Sequence, residues 1–307
     1  MKRAIVFSIG AVLGLSGCAF AWRALERNFE IPHTPRAIAH KIHNPKRSDA
    51  RLAALWVGHA TVLVQLDDIF VLTDPVLTRT VGELSPRLVE PGLDAQDVPP
   101  LAAVVVSHMH FDHLSFGSLE MLEEKTPMLL VPPGVRSILP RFKFESRELG
   151  IWQSYESRGL RITAVPVRHV GGRYGIDQGW NRLAFTGYVL EYNGLTVYFG
   201  GDTAFDAVNF SATEQHFTAI DLALLPICPN KPRDFMRRTH MDPSEALDAF
   251  ELLAAKRMVP IHFDTFINSD DAPGDCPKLL RQLTHARRLD EKVAILEIGE
   301  QRVFIGK

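Results

Sequence analysis

The chain has 307 residues, 46% of them hydrophobic and 23% charged, with 34 Lys+Arg against 36 Asp+Glu and a formal net charge of −2. That composition belongs to a globular polypeptide able to bury a sizeable core, and it excludes a disordered or low-complexity chain. It also lacks the basic footprint of a nucleic-acid binder, because phosphate neutralisation supplies most non-specific affinity for polyanions; the scattered Arg136, Arg141, Lys143 and Arg147 read as a solvated face.

In chain order, Lys2 and Arg3 precede an apolar run over 4–15, and Leu15-Ser16-Gly17-Cys18 closes it. The run is too short to cross roughly 30 Å of hydrocarbon, so it predicts a secretory signal over 1–17 rather than a membrane span. The tetrapeptide resembles a bacterial lipobox, in which the cysteine is acylated and becomes the new N-terminus. The expectation is an exported lipoprotein held to the membrane through Cys18 on the periplasmic side; an uncleaved anchor or an ordinary apolar start are the alternatives. Ala19 and Phe20 are not the Asp of an inner-membrane retention signal, which favours the outer membrane in a Gram-negative cell.

Residues 18–51 carry Pro32, Pro35 and Pro45 without a sustained period and read as a tether and surface strap, followed by a hydrolase domain over 52–307. Strands are predicted over 53–57, 61–66, 69–73 and 102–106, the last apolar on both faces as a covered strand should be. A helix over 118–124, a strand over 128–131 and a short helix over 133–141 follow. Strands are then expected over 160–165, 184–192 and 195–199, with Asn193-Gly194 offering a hairpin turn. Further apolar runs occupy 220–226 and 257–261. Asp242 caps a helix with Pro243 at its first position, continuing over 246–255. Strands over 294–298 and 302–305 close the chain, and the alternation suggests two packed sheets with helices outside them. Cys228 and Cys276 could pair in an oxidising compartment, but the sequence does not place their Cα atoms within the necessary ~4.4–6.8 Å, so the pairing stays open. Neither has a second Cys at metal-ligand spacing, so no Cys-zinc site is expected.

The densest chemistry follows the apolar strand at 102–106. Ser107-His108-Met109-His110-Phe111-Asp112-His113 places four ligand-type side chains within six residues, in a chain with twelve His. In an extended segment His108 and His110 project to one side, and Asp112 and His113 follow the turn into the next helix, where they can face a second metal. Imidazole and carboxylate donors without Cys suit Zn²⁺, with Mn²⁺ or Fe²⁺ as alternatives.

On these residues the sequence resembles the metallo-β-lactamase superfamily, whose His-x-His-x-Asp-His signature it matches at every defined position. Within it the chain is similar to the branch containing N-acyl-phosphatidylethanolamine phospholipase D and the ascorbate-6-phosphate lactonases. The supporting segments are Trp56-Val57-Gly58-His59-Ala60-Thr61, Leu72-Thr73-Asp74-Pro75, Gly200-Gly201-Asp202-Thr203, Thr239-His240-Met241-Asp242-Pro243 and Ile261-His262-Phe263. The resemblance implies an α+β, four-layer αββα sandwich binding two Zn²⁺ per subunit. His108, His110 and His169 would bind the first ion, Asp112, His113 and His262 the second, and Asp202 both. Asp74 would accept the free N–H of a ligand imidazole, or else cap the turn before Pro75, while His59 reads as a structural hydrogen-bonding residue.

Two such ions lower the pKa of a water from about 15.7 towards about 7, which makes hydroxide the expected nucleophile. Asp112 would handle a proton besides binding metal, and His240 would stand near the reacting group or merely cap a helix. A phosphodiester, including an N-acyl-phosphatidylethanolamine-like phospholipid, is the expected substrate class. A lactone or another ester or amide is the alternative, and a non-catalytic metal-binding scaffold the contrasting one. A redox di-iron centre would require a flavin partner, for which no motif is present. The expected partners are a small-molecule or lipid substrate and the membrane, not nucleic acid; the oligomeric state stays open. The Gly-rich segment 170–175 departs from the phospholipase pattern, so acyl-chain recognition does not carry over.

Overall fold

The computed structural model describes residues 34–82, 85–173, 184–217 and 219–307. The signal and Cys18 expected at the N-terminus lie outside them, as do Tyr174 and Gly175. Among the described residues no helix is long and apolar enough to cross a membrane.

Two large sheets carry the fold. The first is built from β1 (Ala50–Gly58), β2 (Thr61–Leu66), β3 (Ile69–Thr73), and, after the two-residue strands β4 (Thr80–Val81) and β5 (Ser85–Pro86), β6 (Ala103–Val105), β7 (Met128–Val131) and β8 (Glu145–Glu148). The second uses β9 (Ser154–Ser157), β10 (Leu160–Val165), β11 (Gly187–Tyr192), β12 (Leu195–Phe199), β13 (Leu222–Pro226) and β14 (Arg257–Ile261); the last strand, β15 (Gln301–Gly306), returns to β1. The strand orders are β15-β1-β2-β3-β6-β7-β8 and β14-β13-β12-β11-β10-β9.

Strand periodicity builds the layers. Along β1, Leu52, Ala54 and Trp56 join the core shared with the second sheet, whereas Leu55 and Val57 join the cluster on the opposite face. That opposite face is covered by the helix Phe116–Met121, through Leu119, and by Val135. On the far side of the second sheet, the helix Pro243–Leu252 inserts Ala246, Leu247, Ala249 and Phe250. The helices Ala207–His216 and Asp275–Ala286 pack against it. The result is the expected four-layer αββα sandwich, in which residues alternating with period two are buried on both sides.

Several local expectations change. The segment 294–298 is not a strand: Val293 makes a single bridge to Met258, after which Gly299 N–H donates to Trp56 O, because the chain is crossing from the edge of one sheet to the edge of the other. The helix expected over 133–141 contracts to a 3₁₀ turn at Val135–Ile138, since Leu139 precedes Pro140 and is extended. The helix expected over 118–124 begins earlier, with the Ser115 hydroxyl accepting from Ser118 N–H, and ends at Met121. The polar edge strands β8 and β9 and the helix Ala207–His216 escape the hydrophobic pattern, and the amphipathic helix Asp275–Ala286, with Leu280 buried, is an element beyond those predicted. Cys228 and Cys276 form a disulfide with their Cα atoms 6.3 Å apart, pinning the latter helix to the loop after β13. Residues 34–49 lie along the domain, with Arg36 bridging Val89 and Lys41 paired with Glu90 and Asp94.

Candidate metal centre

Six strands end at one rim and each delivers a polar side chain there. His59 follows β1, Asp74 follows β3, the segment from Ser107 to His113 follows β6, His169 follows β10, Asp202 follows β12 and His262 follows β14. Strand carboxyl ends are where open sheets place ligands, since the side chains there are held by the ladder but not covered by it.

The turn at 110–114, closed by His113 N–H and Leu114 N–H donating to His110 O, brings Asp112 and His113 back beside His108 and His110. Arg173 holds this turn from outside, donating to Met109 O and Leu114 O and stacking its guanidinium 3.9 Å from the Phe111 ring centre. The loop carrying Asp202 approaches closely because Gly201 adopts φ +55°, and a Cβ there would meet the Ser107 Cβ at 2.3 Å.

The donor atoms converge. Asp202 Oδ2 lies 3.3 Å from His113 Nε2, 3.8 Å from His169 Nε2 and 3.9 Å from His108 Nε2, and Asp202 Oδ1 lies 3.0 Å from His262 Nε2. His110 Nδ1 lies 2.8 Å from His108 Nε2 and 3.4 Å from His169 Nε2. Asp112 Oδ2 lies 3.7 Å from His113 Nε2 and 3.8 Å from His262 Nε2. Two groups thus stand side by side, His108 with His110 and His169, and His59 with Asp112, His113 and His262, each with its donor atoms within 4.8 Å of one another. Asp202 faces both.

A surrounding set of bonds fixes these rings. Asp74, wholly buried, accepts from Ser107 N–H with Oδ1, and with Oδ2 from the Ser107 hydroxyl and His113 Nδ1–H, each at 2.6 Å. Ser107 Oγ is in turn 2.9 Å from His108 Nδ1. His169 Nδ1–H donates to Thr239 O at 2.9 Å. His59 pairs its Nε2 with Asp112 Oδ2 at 3.0 Å, lies over the His262 ring, and donates its N–H to the Thr265 hydroxyl. His240 sits at the edge, Nδ1 3.6 Å from Asp202 Oδ2, with its carbonyl held by Arg233. Ser107 and Thr239 lie in the motif segments, which give them no role of their own, and Thr265 and Arg173 lie outside them, so only their contacts reveal what they position.

Protonation follows from burial and charge. Burial pushes His108, His110 and His169 below the ordinary imidazole value, His59 to about 3 and His240 to about 4. Burial opposes ionisation of Asp112 and Asp202 as well, but the surrounding imidazoles outweigh it and hold both carboxyls well below the usual range. His113 is the exception: burial is outweighed by Asp202, Asp112 and Asp74, which hold it well above its ordinary value. Ionised carboxylates and uncharged imidazoles are the forms that coordinate metal, so an ion entering here would have to displace the extra proton of His113. Asp202 Oδ1 is buried, close to His262 Nε2, yet receives no hydrogen bond. An orphaned carboxylate oxygen among imidazole nitrogens fits a cation in the shared space, and the His/Asp cluster is able to bind metal.

Known proteins resemble this chain. Residues 70–263 match the Beta-lactamase superfamily domain. The N-acyl-phosphatidylethanolamine-hydrolyzing phospholipase D 1 of Caenorhabditis elegans is 31% identical over 235 residues, 71% of this chain. The chain spans 65% of that relative's length, just under two thirds. A UPF0173 metal-dependent hydrolase of Methanopyrus kandleri is 30% identical over 252 residues, covering 80% of this chain and 96% of its own. Among solved structures, the metallo hydrolase Igni18 of Ignicoccus hospitalis superposes with a TM-score of 0.61 at 23% identity, over 82% of this chain and 97% of its own, which establishes a common fold.

Proposed function

The chain belongs to the metallo-β-lactamase superfamily, and from that premise we propose that it is a metal-dependent hydrolase acting on a phosphodiester, foremost an N-acyl-phosphatidylethanolamine-like phospholipid. The observation that carries the reading is the meeting of five imidazoles and Asp112 with Asp202, whose buried Oδ1 lacks a donor. The nematode relative's named substrate supports the substrate class.

In this reading His108, His110 and His169 hold one ion, Asp112, His113 and His262 the second, and Asp202 faces both; Zn²⁺ suits the donors, as do Mn²⁺ and Fe²⁺. Bound there, the ions supply Lewis acidity and an acidified water. The chain's own residues do the rest. Asp74 and Ser107 keep the Nδ1 protons of His113 and His108 directed away from the site, leaving Nε2 of each ring free to coordinate. Asp112, paired with His59 on one side and a quarter exposed on the other, can take a proton at Oδ2 or its other oxygen. His240, neutral because burial lowers its pKa to about 4, offers a substrate oxygen a hydrogen bond without adding charge. Tethering through Cys18 would keep a lipid substrate near by.

The test is protein prepared with Zn²⁺, Mn²⁺ or Fe²⁺, assayed against bis-p-nitrophenyl phosphate, N-acyl-phosphatidylethanolamine, lactones and β-lactams. Two ions per chain with phosphodiester turnover is the expected result. Turnover of lactones alone would move the substrate class, and two bound ions with no turnover of any of these compounds would refute hydrolysis.

A further inference from the structure

Beside the metal centre lies a second cavity of about 550 Å³, lined by Arg168, Phe205, Asp234, Arg237, Arg238 and Glu245. Its walls continue the centre's own backbone. Arg168 precedes His169 and is held by Thr203 and Ala204, which follow Asp202: its N–H donates to the Thr203 hydroxyl at 3.0 Å and its carbonyl accepts from Ala204 N–H at 2.7 Å. Arg237 and Arg238 precede Thr239, whose carbonyl holds His169, and His240.

The charges in this cavity do not cancel. Glu245 is taken by Arg233, which also reaches Asp242. Among the described residues, Arg168, Arg237 and Arg238 make no ion pair, and the remaining carboxylate in the lining is Asp234. All three arginines are exposed. Three like charges around one hollow repel each other unless an anion sits between them, and planar guanidiniums match phosphate oxygens in bidentate fashion. Apolar side chains flank the hollow along the chain. Val208, 77% exposed, follows Phe205 by three residues, and Phe235, 49% exposed, adjoins Asp234.

We infer that Arg168, Arg237 and Arg238 form an anion subsite, distinct from the metal centre, that takes a phosphate-type group other than the one reacting at that centre. The inference rests on the hydrolase reading for the group reacting at the metal centre and on the cavity alone for the second anion. That group can belong to a lipid headgroup at a bilayer surface or to a free phosphorylated compound; the chemistry that recognises it is the same.

The experiment has two arms, both comparing the metal-loaded full chain with Arg168→Ser/Arg237→Ser/Arg238→Ser, and with the single variant Arg238→Ser in case the triple one folds poorly. In the first, sn-glycerol 3-phosphate is titrated calorimetrically. In the second, the chain is sedimented with phosphatidylcholine vesicles with and without phosphatidylglycerol. Loss of charge-assisted bonds predicts binding roughly tenfold or more weaker in the triple variant, and a smaller loss in the single one. Arg161→Ser, on the remote β10, is the control without effect. Weakening confined to the titration identifies a free phosphate, and weakening confined to the vesicles a lipid headgroup. Equal binding by wild type and variants in both arms overturns the proposal. Neither arm reads turnover, so the subsite can stand if hydrolysis fails, and fall while hydrolysis persists.

Discussion

Asp74→Asn isolates how the chain sets the protonation of its own donors. The wild-type relay runs from His108 Nδ1–H to Ser107 Oγ, from the Ser107 hydroxyl to Asp74 Oδ2, and from His113 Nδ1–H to the same oxygen, with contacts of 2.9, 2.6 and 2.6 Å. An asparagine keeping its oxygen on Ser107 N–H would put its NH₂ where Oδ2 was. Both bonds then reverse: His113 Nδ1 must accept, and Ser107, now an acceptor from the amide, turns its own proton toward His108 Nδ1. Each ring carries its proton on Nε2, the nitrogen facing Asp202. Loss of such an outer partner typically weakens a metal site by about 10–100-fold, or about 1.4–2.7 kcal/mol. In the proposed assignment one ring belongs to each ion, so both should weaken by that factor. Competitive chelator titration measures it, with near-ultraviolet circular dichroism as the check on folding. A folded Asp74→Asn protein that binds both ions with wild-type affinity would refute the relay.

Other outcomes are expected. His110→Ala should retain the fold and reduce phosphodiester turnover to background, read by steady-state kinetics beside calorimetric unfolding. Gly201→Ala combines a left-handed φ of +55° with a 2.3 Å approach to Ser107, and should cost about 2–4 kcal/mol, lowering the melting temperature by several degrees. Reducing the Cys228–Cys276 bridge, which spans 48 positions, should lower stability by about 2–4 kcal/mol, seen as a shift in the denaturant midpoint with dithiothreitol. Cys18→Ser should release the protein from membranes, and unchanged palmitate labelling of that variant would count against acylation at this position.

What could be read from the sequence depended on whether the signal was local. Four donor side chains in six residues after an apolar strand announce a metal-binding loop without any fold, and the short apolar runs of β1, β2 and β10 announce strands covered on both faces. His169, Asp202 and His262 are lone residues at strand ends; their shared pocket became legible only through the resemblance, since about 93 positions separate His169 from His262. The polar strands β8 and β9 are invisible to a hydrophobic pattern because they are sheet edges with one wet face. Arg173 and Thr239 act through long-range contacts to backbone carbonyls, which no side-chain motif encodes. The cysteine pair needed a distance, and the segment at 294–298 needed knowledge of which sheet it was leaving.

The backbone at the rim explains why the donors meet at fixed spacing. His59, Asp74 and His262 have φ of 53°, 32° and 67°, unusual for residues with a Cβ, and such strain costs of order 1–3 kcal/mol each. It is offset by bonds that tie these turns to one another: the Thr61 hydroxyl donates to Asp74 O, His262 N–H donates to His59 O, and Trp56 Nε1–H donates to that same carbonyl. Thr265, two residues beyond Phe263, accepts from His59 N–H and returns its hydroxyl to Phe263 O. The end of β14 in one sheet is thereby bonded to the β1–β2 turn in the other, directly beneath the donors. Donor spacing is thus imposed by the join between the sheets rather than by whichever ion arrives. Replacing Zn²⁺ by Mn²⁺ should then change affinity in the order set by the ions' own chemistry while leaving the fold's melting behaviour cooperative and the rim's hydrogen bonds intact.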